Sequence, residues 1–147
     1  MGSLKIEGYE LRSGLYYDSL GDMWVAVSDG VAKVGYDPLG LEINGTLAQL
    51  GIAKVGTTVI RGETVGSLEA EKFVGPIVSP LSGTLVEVNE AVLGDVSLMH
   101  QDPYGAWVFA VAMSNTSELD ELVTGDALEE SFAERLTAYR LKGVLAR

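Results

Sequence analysis

The chain has 147 residues, with 10 Lys or Arg against 21 Asp or Glu, one His and no Cys. That length predicts one domain, residues 1–147, burying about two-thirds of its unfolded surface, and the 47% hydrophobic content is ample for a core. A net charge of −11 makes nucleic acid and anionic membrane surfaces poor partners, and the lack of Cys excludes disulfide scaffolds, thiolate metal sites and Cys nucleophiles.

Met1 to Lys5 has no apolar stretch behind it, so no signal peptide is expected. Ile6 stands where a myristoylation pattern requires Ser or Thr. No apolar run reaches membrane-spanning length, and a cytoplasmic location is expected. Tyr9 to Tyr17 reads as a lead-in strand. Met23 to Ser28 and Val31 to Tyr36 then flank Asp29-Gly30, a strong hairpin signal. Asp37-Pro38 reads as an N-cap with Pro at the first helical position, and Gly40 and Gly45 keep that helix short. Strands are expected over Thr46 to Leu50 and Val55 to Val59, and again over Thr84 to Val88.

Asn89 to Met99 has room for a helical turn, Asp102-Pro103-Tyr104-Gly105 is a turn by composition, and Ala106 to Met113 fits a buried strand. Ser117 with Asp120, and Asp126 with Glu129, are capping signatures for a helical C-terminus. Leu128, Phe132, Leu136 and Tyr139 form one apolar stripe that closes the core. Glu129 and Glu130 lie early in that helix and Arg135, Arg140 and Lys142 late, which suits its dipole. Leu141, Val144 and Leu145 are a lesser candidate for a partner contact.

Between the halves, Val65 to Ala70 and Val74 to Ser79 read as two short strands joined at Glu71-Lys72-Phe73. Lys72 is the only Lys or Arg from Gly62 to Glu134, so one cation stands at a hairpin tip in an acidic field. Taken alone, a lysine on a turn is an ordinary solvated charge, and surface pairs with Glu69 or Glu71 would contribute only about 0–1 kcal/mol. Spacing raises its interest: Gly62 precedes it, Gly83 follows, and Glu69 lies three residues before it. Other candidates fare worse. His100, the single histidine, has no second ligand type beside it and reads as a turn residue. Glu87 falls in a strand and Glu90 in the turn after it, both solvated. The glycines between residues 56 and 66 lack the phosphate-loop spacing. Neither a catalytic constellation nor a metal site emerges, which argues against an enzyme.

Val34-Gly35, Val55-Gly56-Thr57, Gly62-Glu63, Glu69-Ala70-Glu71-Lys72, Ser79-Pro80-Leu81-Ser82-Gly83, Val86-Glu87-Val88-Asn89-Glu90-Ala91, Asp102-Pro103-Tyr104-Gly105 and Ser117 to Leu122 follow in one order, nearly without gaps. This series resembles the lipoyl- and biotin-carrier domains, and among them the H protein of the glycine cleavage system. It covers about residues 20–125, leaving 126–147 as a C-terminal helical extension. The resemblance implies a mainly β, flattened barrel-sandwich with short helices and a C-terminal α-helix. It also implies lipoic acid in amide linkage on Lys72, with Glu69 read by the attaching lipoate-protein ligase or lipoyl transferase. Biotin domains usually carry Met on both sides of the lysine. Here the neighbours are Glu71 and Phe73, which argues against biotin.

The chain departs from that family at the tip. H proteins usually read Glu-Ser-Val-Lys-Ala, whereas this chain has Glu69-Ala70-Glu71-Lys72-Phe73, followed by Gly75-Pro76. Where the family often has His-Glu-Trp, it has Asp22-Met23-Trp24. In these respects it looks like the lipoate-binding proteins of sulfur-oxidising microbes, whose implied partner is a heterodisulfide-reductase-like complex. The orthodox alternative is an aminomethyl carrier serving the glycine cleavage enzymes, dihydrolipoamide dehydrogenase included. An interaction domain without the arm is a third.

Overall fold

Alternating apolar positions set the strands of the computed structural model, which describes residues 2–145. In chain order these are β1 (Ser3–Ile6), β2 (Tyr9–Arg12), β3 (Tyr16–Asp18), β4 (Met23–Ser28), β5 (Val31–Tyr36), α1 (Pro38–Asn44) and β6 (Leu47–Ile52). Next come β7 (Thr58–Val59), β8 (Thr64–Ala70), β9 (Val74–Val78), β10 (Gly83–Val88), α2 (Glu90–Gly94), α3 (Leu98–Gln101) and β11 (Phe109–Met113). Two 3-10 turns, Thr116–Glu121 and Gly125–Ala127, lead into α4 (Leu128–Leu141).

A six-stranded antiparallel sheet runs in the order β3-β4-β5-β11-β10-β7, facing a three-stranded sheet β6-β8-β9. The main core lies between them: Val25, Val34, Leu85 and Val111 from the larger sheet, and Leu50, Val65, Leu68 and Ile77 from the smaller. A second core covers the outer face of the larger sheet, where Tyr17 and Trp24 meet Leu11, Leu39, Leu128, Phe132 and Leu136. Trp24 and Val25 thus face opposite cores, which is why Met23 to Ala26 reads as an unbroken apolar run. Pro76 sits in β9, an edge strand, where its missing N–H leaves no ladder bond unmade.

The Asp29-Gly30 hairpin forms as expected, with both residues at positive φ. So does the α1 cap: Asp37 Oδ1 accepts from the Gly40 N–H at 2.9 Å. Several expectations need correction. The lead-in strand is a separate β1–β2 hairpin turning at Glu7-Gly8, also both at positive φ, followed by the short β3. The strand expected over Val55 to Val59 shrinks to two residues because Lys54 to Thr57 turn, the Thr57 N–H donating to the Lys54 carbonyl.

The apolar run from Ala106 becomes a strand only at Phe109. Ala106 N–H still donates to the Asp102 carbonyl of the preceding turn, and the Trp107 carbonyl accepts from the Asn89 side chain. At the C-terminus, Asn115 rather than Ser117 caps the first 3-10 turn. No side chain caps α4, whose N-cap is Ala127. Glu90 opens α2 instead of lying in a turn, and His100 lies in α3.

Arg135 departs most from expectation. It is buried, its Nη2 lying 2.5 Å from Asp22 Oδ1 and 2.9 Å from Asp37 Oδ2. Burial alone would lower its pKa, but the two carboxylates more than reverse that and hold it raised. Tyr139, one turn on, donates to Asp22 Oδ2 at 2.5 Å. Among the described residues, no helix is long and apolar enough to cross a membrane.

Candidate functional site

The β8–β9 hairpin closes on itself at a two-residue tip. Glu69 pairs with Val74, and the Ala70 N–H donates to the Phe73 carbonyl at 2.8 Å, leaving Glu71 and Lys72 outside the ladder. An unsupported tip would fray, but this one rests on the loop that follows α1. The Lys72 N–H donates to the Asn44 carbonyl at 2.9 Å, and the Glu71 N–H to the Thr46 carbonyl at 2.8 Å. Glu71 Oε1 in turn accepts from the Thr46 N–H at 3.3 Å. Glu71 is therefore a brace, not merely a solvated neighbour of the lysine.

Gly45 makes that contact possible. It ends α1 at φ 76°, ψ −155°, a conformation open essentially to glycine alone. A Cβ there would stand 2.6 Å from Glu71 Oε1 and 3.4 Å from Lys72 Cγ. Behind it, His100 Nε2 lies 3.0 Å from the Gly45 carbonyl, so the single histidine supports the loop from α3. The backbone of Lys72 is fixed while its side chain is exposed, and among the described residues its amine forms no ion pair.

Glu69 is exposed on the outer face of the small sheet, in one row with Gln49 and Val74. Phe73, 40% exposed, folds back over Gly75, where a Cβ would come within 2.8 Å of the ring. Its other side borders a cavity of about 460 Å³. Pro76 shares the hairpin wall, Ile43 and Asn44 come from α1, Leu20 and Asp22 from the β3–β4 loop, and Tyr139 from α4. Leu20, 87% exposed, adds an apolar side chain to the cavity lining.

Within the cavity, Asp18 is only 8% exposed. Desolvation pushes its pKa up, opposed by the Leu20 N–H and by the charge of Arg61. Asp22 is likewise raised by burial, against the pull of Arg135. Glu87 and Glu90 are both exposed on other elements, and among the described residues no cluster of three His, Asp or Glu could hold a metal ion. Sequence reasoning placed Lys72 and Glu69 on this hairpin but did not find Asn44, Gly45, Thr46, Asp18 or Arg61. The α1 stop at Gly45 was legible; its meeting with a tip 26 residues later was not.

An exposed, backbone-anchored lysine amine beside an open cavity fits a long acyl group joined through an amide, with space for the chain to lie against the protein. The glycine cleavage H-protein family model matches residues 15–135. A probable glycine cleavage system H protein 2 from Sulfolobus acidocaldarius is 32% identical over 136 residues, covering 90% of this chain and 91% of that protein. A glycine cleavage system H protein from Alcanivorax borkumensis is 37% identical over 118 residues, covering 80% and 91%. The crystal structure of a glycine cleavage system H protein from Mycobacterium marinum superposes with a TM-score of 0.65 at 32% identity, over 71% of this chain and 87% of that one. Proteins of this family are non-catalytic carriers that hold lipoic acid covalently on a lysine.

Proposed function

We infer the role of Lys72 from a premise of kinship: this chain belongs to the glycine cleavage H-protein family, and is a lipoate carrier rather than an enzyme. We propose that Lys72 is the attachment residue and that Glu69 is read by the lipoate-protein ligase or lipoyl transferase. One observation carries this reading. Lys72 is an exposed amine whose own backbone is pinned to Asn44, the last residue of α1, so a modifying enzyme meets a fixed target. A primary amine on a flexible stem forms the amide that a guanidinium cannot.

The dithiolane, once attached, supplies a disulfide that can be reduced, bear a group on sulfur and be reoxidised. The chain's contribution is placement. Asn44 and Thr46 hold the root of the arm, and Phe73 and Pro76 wall the cavity where its far end can lie away from water.

For the pathway we propose sulfur oxidation, with the arm serving a heterodisulfide-reductase-like complex in the cytoplasm. The support is local: Glu71, Phe73 and Pro76 alter the surface a partner would read beside the arm. The alternative is the orthodox aminomethyl carrier acting with the glycine cleavage enzymes, supported by the names of the relatives. Intact mass of the protein from lipoate-fed cells tests the attachment. One lipoyl increment on wild type and none on Lys72→Arg is expected. No increment on wild type, with several ligases supplied, would leave an interaction domain without an arm.

A further inference from the structure

Arg61 lines the cavity that Phe73 and Pro76 wall on the hairpin side. Its backbone is fixed, for its N–H donates to Ser82 Oγ at 2.8 Å, and Ser82 is held by both carboxylate oxygens of Glu118, at 2.7 and 2.8 Å. Its guanidinium is not satisfied. Nε is buried without an acceptor, and among the described residues Arg61 forms no ion pair, whereas Arg12, Arg135 and Arg140 each have a carboxylate. A buried donor left unpaired is a cost that an incoming acceptor would remove.

The acids around it are poor competitors. Asp22 is held by Arg135 and Tyr139. Asp18 feels the charge of Arg61 but, among the described residues, forms no ion pair with it, and its Oδ1 accepts from the Leu20 N–H.

We propose that Arg61 is the receptor for an anionic group on the end of the arm. The cavity would then accept a sulfonate, sulfinate or carboxylate and disfavour an ammonium. This rests on the reading that Lys72 bears lipoate, and it deepens the pathway proposal, because an aminomethyl cargo carries the opposite charge.

The test uses the lipoylated chain, reduced, with the arm thiols capped by iodoacetate, iodoacetamide or bromoethylamine. These reagents leave an anionic, a neutral or a cationic end. The chain has no cysteine, so the caps fall on the arm, and intact mass reports lipoylation separately from what the cavity does. The carboxymethyl form is expected to melt about 3–6 °C above the carbamidomethyl form.

Arg61→Gln should erase that gap, and Arg61→Lys, which keeps the charge but loses the fork, should retain part of it. Lys54→Gln removes an equal charge from an exposed position outside the cavity lining and should leave the gap intact. Equal melting of the three forms would overturn the proposal. So would highest melting of the aminoethyl form, which would assign the cavity to a cation and to Asp18.

Discussion

Gly45→Ala tests whether the loop after α1 holds the lysine in place. Alanine at φ 76°, ψ −155° is strained by about 1–3 kcal/mol. The new methyl would also press on Glu71 Oε1 at 2.6 Å and Glu71 Cβ at 3.2 Å, so the Thr46–Glu71 bond is lost, a further cost of about 1 kcal/mol. A total of about 2–4 kcal/mol leaves a typical domain folded, because native stabilities run at about 5–15 kcal/mol. It lowers Tm by about 4–16 °C for a chain of this size. Peeling the tip off the loop is the natural way to relieve the strain. If about 1.4 kcal/mol of it is released that way, ligase-catalysed lipoylation of Lys72 falls about tenfold.

Circular-dichroism melts and time-resolved intact mass with a purified ligase measure the two effects. Gly51→Ala is the control: its Cβ would sit 3.5 Å from Ser67 Oγ, an ordinary contact. If Gly45→Ala melted and was lipoylated like that control, the brace would be an accident of packing and the placement argument would fail.

Two further outcomes follow from the buried charges. Arg135→Met strands Asp22 and Asp37 without their cation, a loss of about 3–5 kcal/mol in urea unfolding at pH 7. That deficit should shrink as pH falls and Asp22, whose pKa burial raises, takes up a proton. For Asp18 the sign is worked from its raised pKa: the folded state holds the proton more tightly than the unfolded state. Its favourable contribution is complete below the ordinary aspartate value of 3.8 and is lost as pH rises through the folded pKa. The urea midpoint of Asp18→Asn should therefore fall less than that of wild type from pH 4 to 7, with Asn still able to accept from the Leu20 N–H.

How far the sequence could be read depended on the range of the interaction. Turn chemistry is local, so Asp29-Gly30, Asp37-Pro38 and the β8–β9 tip were legible from neighbouring letters. Glu7-Gly8 carried the same kind of signal in a less familiar pair, and the β1–β2 hairpin was missed with it. The stripe from Leu128 to Tyr139 gave the buried face of α4, but helical periodicity counts Arg135 as polar and so as solvent-facing. Only knowing that Asp22 and Asp37 converge from other elements would put it inside. The same limit hid Arg61 and Asp18: each is an ordinary charge in the letters, and the cavity that distinguishes them is assembled from five parts of the chain.

That convergence changes what α4 is for. Leu128, Phe132 and Leu136 seal the second core, a task any apolar helix would perform. Arg135 and Tyr139 do something else: both grip Asp22, whose φ of 56° already marks a constrained turn. Asp22 belongs to the loop that brings Leu20 to the cavity lining, which Phe73 and Pro76 supply from the hairpin. One wall is thus set by the strand hairpin that carries Lys72, and the other is held by a helix that begins at Leu128. On the proposal that an arm from Lys72 lies in this cavity, its walls have separate supports: the hairpin tip is braced on Asn44 and Thr46, and the Asp22 loop is held by α4. On this argument the C-terminal helix is part of the site, and its anchor is a buried arginine rather than its apolar stripe.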